Sequence, residues 1–299
     1  KEFQSKIKKN YLTQLYNNLV SKYYFNKLDY DLYHLTYYND CISTKKPKVI
    51  TVYDLIHENY MDEFDLKYLP KKKILKEIDH FICISNNTKN DLIKYYNIDE
   101  KKISVIYLAS FIKTTKNEET KFSKPFFLYV GSRKRYKNFR LLLQSYSHLK
   151  DIKKNFDIIC FGGGSFLKEE IDYMNELSID PKNIHQISGT DESLISLYRN
   201  SEALIYPSQY EGFGLPILEA MSCGCPVLSS NSSSLPEVYG DAALTFENNS
   251  VENLINCIKK IVSDKKYKNL LINKGYKRVK EFSWKKCAEE TSNVYESLI

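Results

Sequence analysis

Short apolar runs and helix-length amphipathic stretches alternate along this chain in two successive series. DLYHL (31–35), KVITVYD (48–54), HFICIS (80–85) and KISVIYL (102–108) are brief and rich in Ile, Val, Tyr and Phe, which predicts strands. Between the last two, SNNTKNDLIKYYNI (85–98) opens on cap residues Ser85 to Thr88 and gathers Leu92, Ile93 and Tyr96 on one face, a helix pattern. Residues 110–124 are polar and aperiodic and read as a linker. The second series predicts strands in FFLYVG (126–131), FDIICFGGG (156–164), ALIYPS (203–208), PVLSS (226–230) and ALTF (243–246). Helices are expected over 139–149, 165–177, 191–199 and 215–223, then near 251–263, 265–281 and 284–298.

Alternation of this kind demands parallel sheets covered by helices on both faces. The expected fold class is therefore α/β, two Rossmann-like doubly wound domains facing a cleft at the carboxyl ends of their strands, where such folds bind ligands. A chain of 299 residues with 42% hydrophobic content suits two domains, placed at 1–115 and 116–282, with a last helix over 283–299. About thirty residues precede the first strand with helix-like pattern and no glycine-rich turn, so the first domain is expected to be N-terminally incomplete.

Charge and cysteine usage narrow the function classes. The net charge of +7 is spread without a basic stripe, which argues against nucleic acid as a partner. The run Lys71-Lys72-Lys73, near Lys67 and Lys76, suggests peripheral contact with an anionic membrane surface, against the plainer reading of a solvated face. No apolar run approaches the ~18 residues that span a bilayer, and no signal-peptide pattern opens the sequence. Seven dispersed cysteines, including Cys223 and Cys225 without a nearby His, read as buried free thiols of a reducing cytoplasm, with no metal site.

The chemistry concentrates in YPSQYEGFGLPILEAMSCGCPVLSS (206–230). Gly212 and Gly214 permit a tight turn and close approach of a ligand to the backbone. Pro216 suits the first helical turn, so the amides around Phe213, Leu215 and Ile217 form an anion site fit for a diphosphate. Glu211 and Glu219 flank that site; carboxylates beside it repel phosphate, so each should hold sugar hydroxyls. Either one alone reads as an ordinary loop or helix-start acid. VGSRKRYKNFRLL (130–142) ends a strand at Gly131 and crowds Arg133, Lys134, Arg135 and Lys137 before a helix capped by Asn138. FGGG (161–164) fails the GxGxxG pattern because Leu167 replaces the last glycine, which disfavours a dinucleotide oxidoreductase. No GxxxxGK[ST] or GxSxG occurs, and no DxD pair follows a strand in the second half. Asp54, His57 and Glu58 follow a strand of the first series, as does His34.

YEGFGLPILEAMSCGCPVLSS, with Glu211 and Glu219 separated by seven residues, resembles the family-four (group 1) retaining glycosyltransferases of the GT-B fold. VGSRKRYKNFRLLLQSY looks like their diphosphate loop, and SGTDESLISLYRNSEALIYPS is similar to the stretch before their paired glutamates. SSSLPEVYGDAALTF looks like their following loop and helix, with Ser234 and Glu237 readable as a capping box. FSWKKCAEETSNVYESL is similar to the terminal helix that crosses back to the first domain, and HLTYYND and TVYDLIHENY resemble a mannosyltransferase subgroup of polysaccharide biosynthesis. The resemblance implies a cytoplasmic enzyme moving a hexose, mannose among the candidates, from a GDP- or UDP-sugar to a glycan or lipid-linked acceptor. It implies retention of configuration, no metal and no cofactor besides the donor. Glu211 with Arg133 and Lys137 would act at the sugar and diphosphate. Gly131, Gly212, Phe213, Gly214 and Leu215 would line the donor, Glu219 would hold the ribose, and the backbone from Gln186 to Gly189 would lie near the base. Asp54 and His57 would face the site from the first domain. Many members carry His where Tyr53 stands here. A non-catalytic nucleotide-sugar-binding module that has lost the acceptor half is the alternative.

Overall fold

The computed structural model describes residues 27–38, 44–61, 71–112 and 122–299, together with 16, 20 and 23. Its first sheet runs β1 (Tyr33–Leu35), β2 (Lys48–Val52), β3 (His80–Cys83) and β4 (Ile103–Val105), all parallel and in that spatial order. Around it lie α1 (Ile56–Asn59), α2 (Lys71–Leu75) and α3 (Asn86–Tyr96). Ser85 caps α3, its hydroxyl accepting from the Thr88 amide.

The second domain is built from β5 (Phe126–Val130), α4 (Phe139–Ser147), α5 (Lys150–Asn155), β6 (Asp157–Phe161), α6 (Lys168–Glu176) and β7 (Ile184–Ile187). It continues through α7 (Asp191–Asn200), β8 (Ala203–Tyr206), α8 (Leu215–Ser222), β9 (Val227–Ser230), α9 (Leu235–Tyr239) and β10 (Leu244–Phe246). Helices α10 (Val251–Ser263), α11 (Lys265–Val279) and α12 (Trp284–Glu296) follow. The six parallel strands take the order β10-β9-β8-β5-β6-β7. The chain winds outward from β5 in one direction and from β8 in the other, so the order reverses between those two neighbours. The loops that leave them must part there, opening a crevice.

Alternate residues of the central strands feed two separate apolar layers. Phe126, Leu128 and Val130 join Leu204 and Tyr206 on one face, while Phe127 and Tyr129 join Ala203 and Ile205 on the other. The period of two places a buried layer on each side, as a parallel sheet requires. Helix α10 shows the matching helical pattern, with Leu254, Cys257, Ile258 and Ile261 buried.

Helix α12 leaves the second domain and lies on the first sheet, where Val294 shares a cluster with Val49, Ile82 and Ile106. His34 is part of this docking rather than of the cleft. Its Nε2 meets Thr51 Oγ1 at 2.9 Å, its Nδ1 hydrogen-bonds the Tyr295 hydroxyl, and burial lowers its pKa. Of the expected linker, residues 113–121 lie outside the described residues; its flanks are pinned by Phe111 stacked on Trp284 and Phe122 against Phe126.

The structure differs from the sequence expectations in particular places. Strand β7 escapes the apolar pattern because it is paired only to β6 and buries Ile184 while His185 and Gln186 stay half-exposed. Asn138 does not cap α4; it adopts a left-handed backbone (φ 54°) and spends its amide on Asn249 Oδ1 at 3.0 Å. Ser234 and Glu237 form no capping box, because the hydroxyl turns to the Glu211 and Phe213 carbonyls and the carboxylate reaches the other domain. Nor is the lysine run one basic face: Lys71 is buried and paired with Glu58 at 2.9 Å, while Lys72 and Lys73 are exposed and Lys67 lies outside the described residues.

Candidate active site

The loops after β5 and β8 line opposite sides of this crevice and are tied across it. Gly131 makes the first turn at φ +117°, and its amide donates to Phe161 O. The loop then reaches Lys137, whose neighbour Tyr136 accepts a backbone hydrogen bond from Gln209 at 2.7 Å. This tie brings Lys137 Nζ to 2.6 Å from Glu211 Oε1. Both side chains are largely shielded, 15% and 9% exposed, with the rings of Tyr136 and Tyr206 about the ammonium. Burial, reinforced by the Glu211 charge and hydrogen bond, drives the Tyr206 hydroxyl's pKa well upward.

Glu211 is fixed by its backbone as well. Ser233 Oγ accepts its amide at 2.8 Å, and its carbonyl accepts from Ser234 Oγ at 2.8 Å. The amides of Gly212, Phe213, Gly214 and Leu215 that follow meet no protein acceptor among the described residues. They lead into α8 through Gly214 (φ +113°), with Pro in the first turn. Four consecutive unclaimed N–H groups at a helix start make a place for an anion. Gly212 is required by proximity: a Cβ there would lie 2.0 Å from the carbonyl oxygen of Tyr53 in the first domain. Phe213 is buried between the rings of Tyr107 and Phe282.

Glu219 sits at the far end of the segment and takes a hydrogen bond from the Tyr198 hydroxyl at 2.9 Å. Burial raises its pKa, opposed by that bond and aided by Asp191. Gly189 lies exposed in the turn after β7, close to Ser193, and Gln186 within β7 donates to Gly162 O at 3.3 Å and Ile187 O at 3.0 Å.

Arg133 is placed differently from the expected diphosphate role. Its Nε donates to Glu170 Oε1 at 2.7 Å, and its terminal nitrogens donate to the carbonyls of Gly162, Gly164 and Ser165. Stacked 4.7 Å from Phe166, it clamps the glycine turn after β6 instead of joining Lys137. A planar five-donor guanidinium suits a cluster of carbonyls held in three left-handed glycines.

From the first domain, Asp54 accepts from the Ile56 amide at 3.0 Å and lies against Gly212. His57 has a lowered pKa, chiefly by burial and then by Lys71, with Lys134 of the β5 loop contributing from across the cleft. Further ties were hidden from pattern reading. Tyr210 donates to Asp91 Oδ2 at 2.6 Å and accepts from the Leu55 amide, and Thr88 Oγ1 donates to Gly212 O at 3.4 Å. The tyrosine among them is masked by a composition with 25 of its kind. Among the described residues no cluster of His, Cys, Asp and Glu is arranged to hold a metal, and no helix is long and apolar enough to cross a membrane. Cys223 and Cys225 are free, with burial raising their thiols to about 11 and about 12.

Two parallel-sheet domains with a loop site at the switch point define the GT-B glycosyltransferase architecture. Solved structures share it: a sucrose-phosphate synthase from Thermosynechococcus elongatus matches with a TM-score of 0.72 at 20% identity, over 92% of this chain and 75% of that one. WaaG, a glycosyltransferase involved in lipopolysaccharide biosynthesis, matches with a TM-score of 0.68 at 16% identity, over 82% and 74%. The chain belongs to the group 1 glycosyl transferases: that family model matches residues 110–278, and the Glycosyltransferase Family 4 model matches 6–109. Among curated relatives, an O-antigen chain mannosyltransferase B of Escherichia coli is 38% identical over 173 residues, 57% of this chain and 45% of the relative. The O-antigen chain mannosyltransferase RfbU of Salmonella typhimurium is 30% identical over 223 residues, 72% and 60% of the two chains. The matched region thus spans about half the length of these relatives.

Proposed function

We propose that this chain transfers a hexose, mannose in the first instance, from a nucleoside-diphosphate sugar to a glycan or lipid-linked acceptor. The observation that carries this reading is the shielded Lys137–Glu211 pair beside four unclaimed amides at the switch point. Phosphate oxygens would take the amides of residues 212–215 and the Lys137 ammonium, which stabilise charge developing on the leaving group. Glu211 would then exchange part of its hold on Lys137 for hexose hydroxyls, and Glu219 would hold the ribose. The bond from the anomeric carbon to the diphosphate oxygen breaks, and the acceptor oxygen bonds the same face of that carbon. The acceptor's hydroxyl proton passes to the departing phosphate oxygen, so configuration is retained and no metal is needed. The names of the mannosyltransferase relatives support the sugar; cations and backbone dipoles support the metal-free step.

The test is release of nucleoside diphosphate from GDP-mannose and a panel of UDP-sugars, with and without a mannose-terminated oligosaccharide and with and without EDTA. GDP-mannose is expected to turn over, EDTA to leave the rate unchanged, and the product to carry the donor's anomeric configuration. Turnover confined to a UDP-sugar would replace the donor assignment. Donor binding without transfer to any acceptor would favour a binding module.

A further inference from the structure

Glu237 lies outside the donor loop, on α9, yet its carboxylate crosses to the first domain. It accepts the Asn86 amide at 2.7 Å on one oxygen and the Asn87 amide at 2.8 Å on the other. Asn86 Nδ2 and the Tyr107 hydroxyl donate to it as well, each at 3.0 Å. A helix leaves its first N–H groups without internal acceptors and carries partial positive charge there. Helix α3 meets the amide of Thr88 with its own Ser85, but those of Asn86 and Asn87 are met from the opposite domain.

The same short stretch grips the donor loop. Ser233 and Ser234 hold the amide and carbonyl of Glu211, and Ser234 also donates to Phe213 O at 3.0 Å. From behind, Arg278 donates Nε to Val238 O at 2.9 Å and Nη2 to Glu237 O, with its guanidinium over the Phe282 ring. Residues 233–239 therefore form a braced bar with the Glu211 loop at one end and α3 at the other.

We propose that Glu237 is a positioning residue, an interdomain latch whose engagement with α3 sets the Glu211–Leu215 loop against the first domain. When the cleft opens, the Asn86 and Asn87 amides exchange the carboxylate for water and the bar loses its outer anchor. Closure restores both contacts together with Thr88 to Gly212 O and Asp91 to Tyr210. The catalytic consequence rests on the transferase reading above; the latch does not.

Hydrogen exchange followed by mass spectrometry on the full chain separates the two. In Glu237→Ala, amides 86 and 87 are expected to exchange about tenfold faster, the loss of a charged hydrogen bond, with faster exchange also at Glu211. Glu237→Gln keeps one acceptor oxygen and should show a smaller rise. Unchanged protection at 86 and 87 in both variants would overturn the latch. If Glu237→Ala fails to fold, Asn86→Pro takes its place. Asn86 opens the helix, where proline is tolerated, after an extended Ser85 (φ −158°, ψ 161°). This substitution removes both Asn86 donors to the carboxylate, so its effect at Glu211 should be smaller in the Glu237→Gln background than in the parent; fully additive effects would overturn the proposal. With GDP-mannose, Glu237→Ala should lower kcat about tenfold and leave KM within about twofold, because the donor contacts lie in the second domain. If the parent shows no turnover of GDP-mannose while the exchange result holds, the donor assignment fails and the latch stands.

Discussion

The two ends of the Glu211–Glu219 segment hold similar carboxylates in dissimilar surroundings. At the Glu211 end the partner is a cation, the backbone is pinned by two serines, and the adjoining residues touch the first domain. At the Glu219 end the partner is the neutral hydroxyl of Tyr198, and the contact stays within the second domain. One end therefore bears on the facing domain and the other does not. Substitutions at the first should depress turnover, while those at the second should weaken donor binding.

Gly212→Ala is expected to break this contrast most severely. The added carbon would collide with the Tyr53 carbonyl, and backbone cannot yield as a flexible side chain does. The domains must part, misplacing the loop by an ångström or so, which costs roughly a hundredfold in rate. Turnover of GDP-mannose and the radius of gyration in X-ray scattering check it; a variant as fast and compact as the parent would refute the contact.

The ion pair comes next. Glu211→Leu or Lys137→Met alone leaves a shielded charge unpaired and should destabilise by about 3–5 kcal/mol. The double substitution should recover most of that loss in urea unfolding, because an apolar pair of similar volume tolerates the shielded site. It should not recover transfer. Additive losses, with the double variant destabilised by the sum of the two single ones, would show that the two charges act independently.

The frame of this contrast was legible in the sequence, and its wiring was not. Alternating apolar runs give the parallel sheets, and the glycines with Pro216 give the turn into α8, because those signals are local. Glu211 and Lys137 share loops whose positions follow from the strands they leave, so their meeting is a consequence of strand order. Arg133 looked equivalent to Lys137 by charge and spacing. Only the three-dimensional return of the Gly162–Ser165 turn shows that its donors are committed elsewhere. Ser234 and Glu237 fit a local capping box equally well on paper, but carbonyls and amides 21 to 151 residues away in sequence claim them instead.

A milder test addresses the Glu219 end. Tyr198→Phe removes one hydrogen bond to a carboxylate, worth about 1.5–3 kcal/mol when intact, while the buried ring stays. On the proposed role of Glu219 at the ribose, its carboxylate is then less firmly oriented, so binding of GDP-mannose in calorimetry should weaken by up to about tenfold. Turnover at saturating donor should stay near the parent value. A fall in kcat matching that of the Glu211 variants would erase the distinction between the two ends.

The smallest effect concerns a third interdomain tie, and it comes from proton binding rather than ion pairing. His34 joins α12 to the first sheet through Tyr295 and Thr51, and burial lowers its pKa from the ordinary 6.5. Below about pH 6.5 the unfolded chain binds a proton that the folded imidazole resists, so stability falls as pH drops through this range. The loss levels off once pH passes below the folded value, where both states are protonated; above 6.5 neither binds the proton and the stability is complete. His57 and His80 are shifted downward too, chiefly by burial, so the parent's urea midpoint should drop between about pH 7.5 and 5.5 by their combined effect. His34→Gln keeps a donor and an acceptor for the two hydroxyls without a titrating ring. It should flatten that slope in part, while leaving the Asn86 and Asn87 amides as protected by Glu237 as before. An identical slope in the variant would mean that α12 docks without regard to the charge on His34.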